Sequence, residues 1–304
     1  MINKTIMNNK EGVTRWPNSF IMLLLLITSP HLSGSWQTMI ESKKPVMSEH
    51  SYDLIWAQNA AYIENRLPKI AASGITTIPI IESYEPLVDV RQEANTRIDM
   101  LPNPAAPFES PDKNSGFVAA SKIRRGIFQK LNILLEKLDA LAKYFGYEQG
   151  QITIKVFEGL RDLKTQELLF NNKLEEIRLA HPTLTDDQLF EETAKWVSPI
   201  SNNVPVHSTG GAVDIRLWDS YAKIFVDMGP FGVIWGDNSS APTFSENATE
   251  QQQQNRLYLL IAATEAGLVN YPYEWWHYSS GDRYAAYWQE ANVLKRYALY
   301  NTVS

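Results

Sequence analysis

The chain has no cysteine in 304 residues, which excludes a disulfide framework and a thiolate metal site, so any metal it binds must rely on imidazole and carboxylate. It also lacks a basic excess. With 28 Lys and Arg against 34 Asp and Glu, the formal charge is −6, and the cations are spread along the chain instead of forming the stripe that phosphate backbones require. Nucleic acid is therefore not an expected partner. Near the start, the apolar run Phe20 to Ile27 is too short to cross the roughly 30 Å hydrocarbon core of a bilayer as a helix. Lys4, Lys10 and Arg15 precede it and the small residues Ser33, Gly34 and Ser35 follow, so residues 1–35 read as a secretory signal. No cysteine is available for a lipid anchor. The mature protein is expected to be exported, to the periplasm or cell envelope, without stable membrane insertion.

A hydrophobic content of 44% allows one substantial core. Internal repeats and long linkers are absent. After the signal, residues 36–115 read as an N-terminal extension with loops that packs on a catalytic domain over residues 116–304. The extension is punctuated by Pro45, Pro68, Pro79, Pro86, Pro102 and Pro104. Within it Ile75 to Ile81 reads as an edge strand, because Pro79 cannot donate to a central ladder, and Pro102 to Gly116 reads as a loop or covering flap.

From Ser121, the apolar residues Ile127, Leu131, Leu134, Leu135, Leu138, Leu141 and Ala142 recur at helical spacing until Gly146, predicting an amphipathic helix with a glycine stop. Ile152, Ile154 and Val156 alternate as a strand that delivers Glu158-Gly159-Leu160-Arg161 at its end. Thr185 to Gln188 has the capping-box form, and Asn247 to Glu250 opens a further helix that closes at Gly267. Its run Gln251 to Gln254 is expected on an exposed face. These elements add up to an α+β fold, a mixed or antiparallel central sheet backed by helices.

Two segments carry chemistry. In Tyr271-Pro272-Tyr273-Glu274-Trp275-Trp276-His277-Tyr278, a carboxylate precedes an imidazole by three residues inside an aromatic wall. A charged Glu there needs a metal or a substrate proton as partner, and a core strand with an incidental His is the plain alternative. In His207-Ser208-Thr209-Gly210-Gly211-Ala212-Val213-Asp214, a Gly-Gly turn returns Asp214 to the neighbourhood of His207. Val213, Ile215 and Leu217 form the apolar face of the strand that follows, with Asp214 on the other face. Two His and one Asp leave a fourth tetrahedral position open, as expected of a catalytic zinc rather than a structural one. Glu274 is then left as the base. If His277 lies on a regular strand, Glu274 points away from it, so a bend or bulge is expected between Pro272 and Trp275.

These segments resemble the D-alanyl-D-alanine dipeptidases of the zinc peptidase family that also contains bacterial D,D-carboxypeptidases. The family pattern is Ser-x-His-x-x-Gly-x-Ala-x-Asp followed much later by Glu-x-x-His, and His207, Gly210, Ala212, Asp214, Glu274 and His277 match it. Pro205 stands in place of the Ser. Glu158-Gly159-Leu160-Arg161 is similar to the family's acidic-Gly-Tyr-Arg-Pro element, with Leu160 and Asp162 as departures and Gln166 following. The likeness runs from about Pro86 to Trp288, through Asp227-Met228-Gly229, Asn255-Arg256, Ala266 to Pro272 and Gly281 to Tyr284.

The resemblance implies one zinc ion held by His207, Asp214 and His277 on one face of the sheet. Glu274 would be the general base and Arg161 the group that stabilises the oxyanion. Asp227 would be the acidic partner of the substrate ammonium. The substrate class is D-Ala-D-Ala or a related cell-wall dipeptide, and peptidoglycan stem peptides for a D,D-carboxypeptidase on the same scaffold. Two rivals differ in kind. A serine enzyme of penicillin-binding type would use Ser110-Pro111-Asp112-Lys113, Ser201-Asn202-Asn203 and Ser208-Thr209-Gly210, although the Lys of the third element is missing. A non-catalytic zinc-containing wall-binding protein would keep the metal and lack turnover.

Overall fold

A computed structural model describes residues 36–101, 119–201, 203–232, 239–290 and 292–303. The signal segment and the Pro102 to Gly116 loop lie outside the described residues, as do Ser110 and Lys113 of the serine-enzyme pattern. Two helices open the described chain, α1 (Trp36–Lys43) and α2 (Glu49–Ile63), the second capped by the Ser48 hydroxyl, which accepts from the Ser51 amide. Then come α3 (Ser73–Thr76), β1 (Leu87–Asp89), β2 (Ile98–Met100), β3 (Lys122–Arg124), α4 (Arg125–Leu141) and β4 (Ile152–Glu158). The second half holds α5 (Leu163–Ala180), α6 (Asp186–Ala194), β5 (Ala212–Asp219), β6 (Ile224–Phe225), α7 (Glu250–Glu265), β7 (Val269–Asn270), β8 (His277–Ser279) and α8 (Arg283–Gln289).

The main sheet runs β2-β4-β5-β8-β7, with β6 pairing the far end of β5, and β1 and β3 form a separate antiparallel ribbon. Among the strand pairs of this sheet in the described residues, β2–β4 is parallel and the others are antiparallel. The fold is thus α+β with a mixed sheet. Ile154 and Val156 of β4 and Val213, Ile215 and Leu217 of β5 join Ile127, Leu131, Leu134 and Leu138 of α4 in one core, each fully removed from water. Burying such a side chain contributes about 1.5–3 kcal/mol. α7 is the central helix, buried from Asn255 through Thr264 and packed against both α4 and α2.

Several expectations change in the structure. The amphipathic helix begins at Arg125, because residues 122–124 pair with β1, and its 3-10 extension ends at Gly146 with φ 82°. Ile75 to Ile81 is not an edge strand. Thr77 Oγ1 donates to the Ser73 carbonyl at 2.8 Å, closing a helical turn, and only Ile80 makes a bridge, to Ala298. The glutamines of α7 do not share an exposed face. Gln253 is buried and donates to the Ala248 carbonyl at 3.0 Å, while Gln252 completes a capping box with Thr249. The capping box at Thr185 and Gln188 forms as read. No helix among the described residues is long and apolar enough to cross a membrane.

Candidate metal centre and active site

Asp214 lies near the start of β5, opposite the last residue of β4 and the first of β8. It is the register partner of Glu158 on β4 and of His277 on β8, and directly opposed residues project to the same side of a sheet. An irregularity between Val156 and Glu158 sets two residues of β4 against one of β5 and re-aims Glu158. The bend expected between Pro272 and Trp275 is present, as a turn rather than a strand bulge. That segment is the loop joining β7 to β8, closed by hydrogen bonds from the Glu274 amide to the Tyr271 carbonyl at 2.8 Å and from the His277 amide to the Glu274 carbonyl at 3.1 Å. Glu274 therefore sits on a tight loop, free of the alternation that a strand would impose.

His207 arrives from outside the sheet, on a 3-10 turn (His207–Thr209) that ends at Gly210 with φ 70°. A side chain at Gly210 would be strained by that φ and would meet Leu87 Cδ2 at 2.8 Å. The imidazole is fixed by Nδ1 against the Gly159 carbonyl at 2.8 Å, which sets Nδ1 as the protonated nitrogen and turns the Nε2 lone pair inward. Nε2 then lies 3.1 Å from His277 Nδ1 and 3.4 Å from Asp214 Oδ1, and His277 Nδ1 lies 3.1 Å from the same oxygen.

The structure thus brings His207, Asp214 and His277 together, buried, with their ligand atoms all within 4.8 Å of one another. Burial works against charge on His207, and the Asp214 carboxylate more than offsets it; burial likewise opposes charge on Asp214, and His207 and His277 hold its carboxyl below the usual range. The cluster draws positive charge. Tetrahedral ligands at about 2.0–2.1 Å from an ion lie roughly 3.3–3.4 Å apart, close to the separations found here, and the donor set is two imidazole nitrogens and one carboxylate oxygen. These residues fit a divalent metal ion.

Glu274 stands beside the trio, Oε2 at 4.0 Å from His277 Nδ1. Burial pushes its carboxyl above the ordinary range, against the pull of His277. Arg161 follows β4 by three residues, its amide bonded to the His207 carbonyl at 3.2 Å. Its guanidinium does not pair with Asp162. Nε and Nη2 donate to the two oxygens of Glu158, each at 2.7 Å, and Nη1 donates to Gln166 Oε1 at 3.0 Å. Burial opposes its charge, but the Glu158 carboxylate keeps it firmly protonated. Asp162, a departure from the family element, caps α5 by accepting from the Thr165 amide at 2.9 Å.

Asp227 is placed apart. It is exposed, and its carboxylate accepts from the Gly229 amide at 3.0 Å and from Gln252 Nε2 at 3.1 Å, with no described contact to the cluster. Ser208, from the serine-enzyme pattern, is buried at 1% exposure.

A cavity of about 620 Å³ opens at Glu274, between the β7–β8 loop (Tyr271, Tyr273, Trp276) and the α5–α6 hairpin (Ile177, Trp196), with Lys69 at its wall. Glu158 and Lys69 were not singled out as site residues in the sequence. Glu158 carried a signal in its three-residue spacing from Arg161, whereas Lys69 sits in a Pro-bearing loop without pattern.

The profile described as D-ala-D-ala dipeptidase matches residues 132–296. A D-alanyl-D-alanine dipeptidase from Synechocystis sp. is 29% identical over 235 residues, which cover 70% of this chain and 88% of that protein. The matched stretch takes in Glu158, Arg161, the His-Asp-His trio and Glu274 and spans more than half of the chain, which belongs to the D-Ala-D-Ala dipeptidase family of peptidases.

Proposed function

We propose that this peptidase hydrolyses D-alanyl-D-alanine or a related cell-wall-derived dipeptide, with zinc as its metal and Glu274 as its general base. The observation that carries the reading is the buried trio of His207, Asp214 and His277 with Glu274 Oε2 4.0 Å from His277 Nδ1. When bound, one zinc ion supplies the electrophile that polarises the scissile carbonyl and makes water acidic enough to react near neutral pH.

The protein residues do the rest. Glu274, with its carboxyl raised by burial, accepts a proton from the attacking water and returns it to the departing amine, a role worth about 10²–10⁴ in rate. Arg161 faces the developing oxyanion. Three of the five N–H groups of a guanidinium are committed here to Glu158 and Gln166, which orients the plane and leaves about two for the substrate. Such a donor lowers the barrier by about 3 kcal/mol. His207 is oriented as a ligand by its Nδ1 bond to the Gly159 carbonyl, which turns Nε2 toward the trio. Asp227 is kept as an expectation for the substrate ammonium only if the ligand extends to it.

The size of the cavity favours a second reading. About 620 Å³ lies in the range that takes drug-sized ligands and exceeds what a free dipeptide fills, so a peptidoglycan stem peptide cut by D,D-carboxypeptidase action is the alternative substrate. The short apolar run Phe20 to Ile27 after Lys4, Lys10 and Arg15 supports export of the protein, to periplasm or envelope.

Purified protein incubated with D-Ala-D-Ala, L-Ala-L-Ala and a stem pentapeptide tests the proposal. Chelator-sensitive release of D-Ala, restored by zinc, is the expected result. Release that ignores chelator but stops with a β-lactam would transfer the assignment to a serine enzyme, and binding without release to a non-catalytic protein.

A further inference from the structure

Lys69 lies on the loop between α2 and α3, before the stretch that the family profile matches. That loop is tied to the catalytic one: Tyr273 Oη donates to the Leu67 carbonyl at 2.9 Å, and the backbone of Ile70 hydrogen-bonds the Tyr271 hydroxyl. The Lys69 ammonium is thereby set over the Tyr273 ring, 3.2 Å from its centre, at the wall of the cavity that Glu274 also lines.

Other cations of this cavity have carboxylate partners. Lys173 pairs with Glu176 at 2.7 Å, and Lys195 pairs with Glu192. Lys69 has no carboxylate within ion-pair distance among the described residues. Burial pushes its ammonium down to about 8, while the Glu274 carboxylate pulls it back up, so the cation is held in a partly dry site near the reacting centre. A half-buried cation that sits over an aromatic face without an ion-paired carboxylate is stabilised by an incoming anion.

We infer that Lys69 receives the free α-carboxylate of the substrate, placing the C-terminal residue of a dipeptide or stem peptide against Tyr273. The inference rests on the hydrolase reading above and adds the residue that selects for a free C-terminus. Of the groups that D-Ala-D-Ala offers, only its carboxylate carries the negative charge that complements an ammonium. The geometry also orders the ligand: with its carboxylate at Lys69, the scissile amide lies one residue inward, on the Glu274 side.

The test uses the full chain with zinc in a Glu274→Gln background, so that ligand persists. Calorimetry compares D-Ala-D-Ala with its C-terminal amide, before and after adding Lys69→Met or Lys69→Arg. Amidation is expected to weaken binding on the order of tenfold or more where Lys69 is present, less than about twofold in Lys69→Met, with most of the preference regained in Lys69→Arg. The same acid-to-amide ratio in all three proteins overturns the inference. If the unaltered chain releases D-Ala in a chelator-sensitive way while that ratio stays equal, Lys69 alone is misassigned. If neither ligand binds any of the proteins, the inference and the substrate reading fall together.

Discussion

Asp214 and His277 face each other as backbone partners across the β5–β8 ladder, with Oδ1 3.1 Å from Nδ1. Two of the three candidate ligands are therefore positioned by strand pairing, and the third, His207, by a turn and one carbonyl. A site on paired strands holds its geometry better than one on free loops.

His277→Ala removes one leg of that arrangement. Zinc content measured by elemental analysis after gel filtration is expected to fall from near one ion per chain toward zero, and D-Ala release with it. Retention of full zinc would show that the trio is not the metal site.

Glu274→Gln separates binding from turnover. The side chain keeps its size and the trio is untouched, so zinc should stay while the rate drops by about 10²–10⁴. Hydrolysis at the unaltered rate would end the general-base assignment.

Arg161→Met tests a coupled pair. It leaves the buried Glu158 carboxylate, 3% exposed at its side chain, without its cation, which typically costs about 3–5 kcal/mol. Adding Glu158→Gln removes the stranded charge, and the midpoint of urea unfolding should recover in the double variant. Activity should not recover, because no donor for the oxyanion returns. A double variant that regains both would make Arg161 purely structural.

Gly159→Ala tests the backbone that fixes His207. A Cβ there would meet the Lys122 carbonyl oxygen and Ile123 Cγ2, both at 2.5 Å, closer than real contacts allow. Strain of about 1–3 kcal/mol is expected by denaturant unfolding, together with weakened zinc affinity as the carbonyl shifts away from Nδ1. Unchanged stability and affinity would contradict this packing.

Asp139 sets an acid limit on stability. Burial raises its carboxyl, but Arg97, at 2.7 and 2.8 Å, and the Gly150 amide, at 2.9 Å, outweigh burial and hold it below the ordinary value. The folded value lies below the unfolded one, so the pair's contribution is fully present above about pH 4 and is lost as pH falls through the folded value. Asp139→Asn should lower stability at pH 7 by about 1–2 kcal/mol and flatten the acid limb of the stability profile. Parallel acid limbs for the two proteins would remove Asp139 as the cause.

The metal-ligand candidates were legible because each sits in a short motif whose spacing survives folding: His207 and Asp214 flank a glycine turn, and Glu274 and His277 share one loop and strand start. Strong periodicity likewise exposed α4 and β4. α5 escaped notice because only Gln166, Phe170 and Ile177 of its residues are buried, too few to print a helical stripe. The β-branched run from Ile75 misled, since local side-chain bonding at Ser73 and Thr77 outweighed strand propensity. Lys69 and the Arg161–Glu158 pairing depend on contacts between distant or neighbouring loops that no local pattern records. Asp227, in contrast, matched a motif, yet its position is set by the start of α7 through Gln252.

Because α7 is buried along most of its length, with Trp36, Met39, Ile40 and Ile55 from α1 and α2 joining the core that surrounds it, the first helices are part of that core and not trim. Its amides should exchange with solvent deuterium only on global opening, and trimming the chain back to the profile-matched region would leave a hydrophobic flank bare, prone to clumping before any chemistry could be assayed.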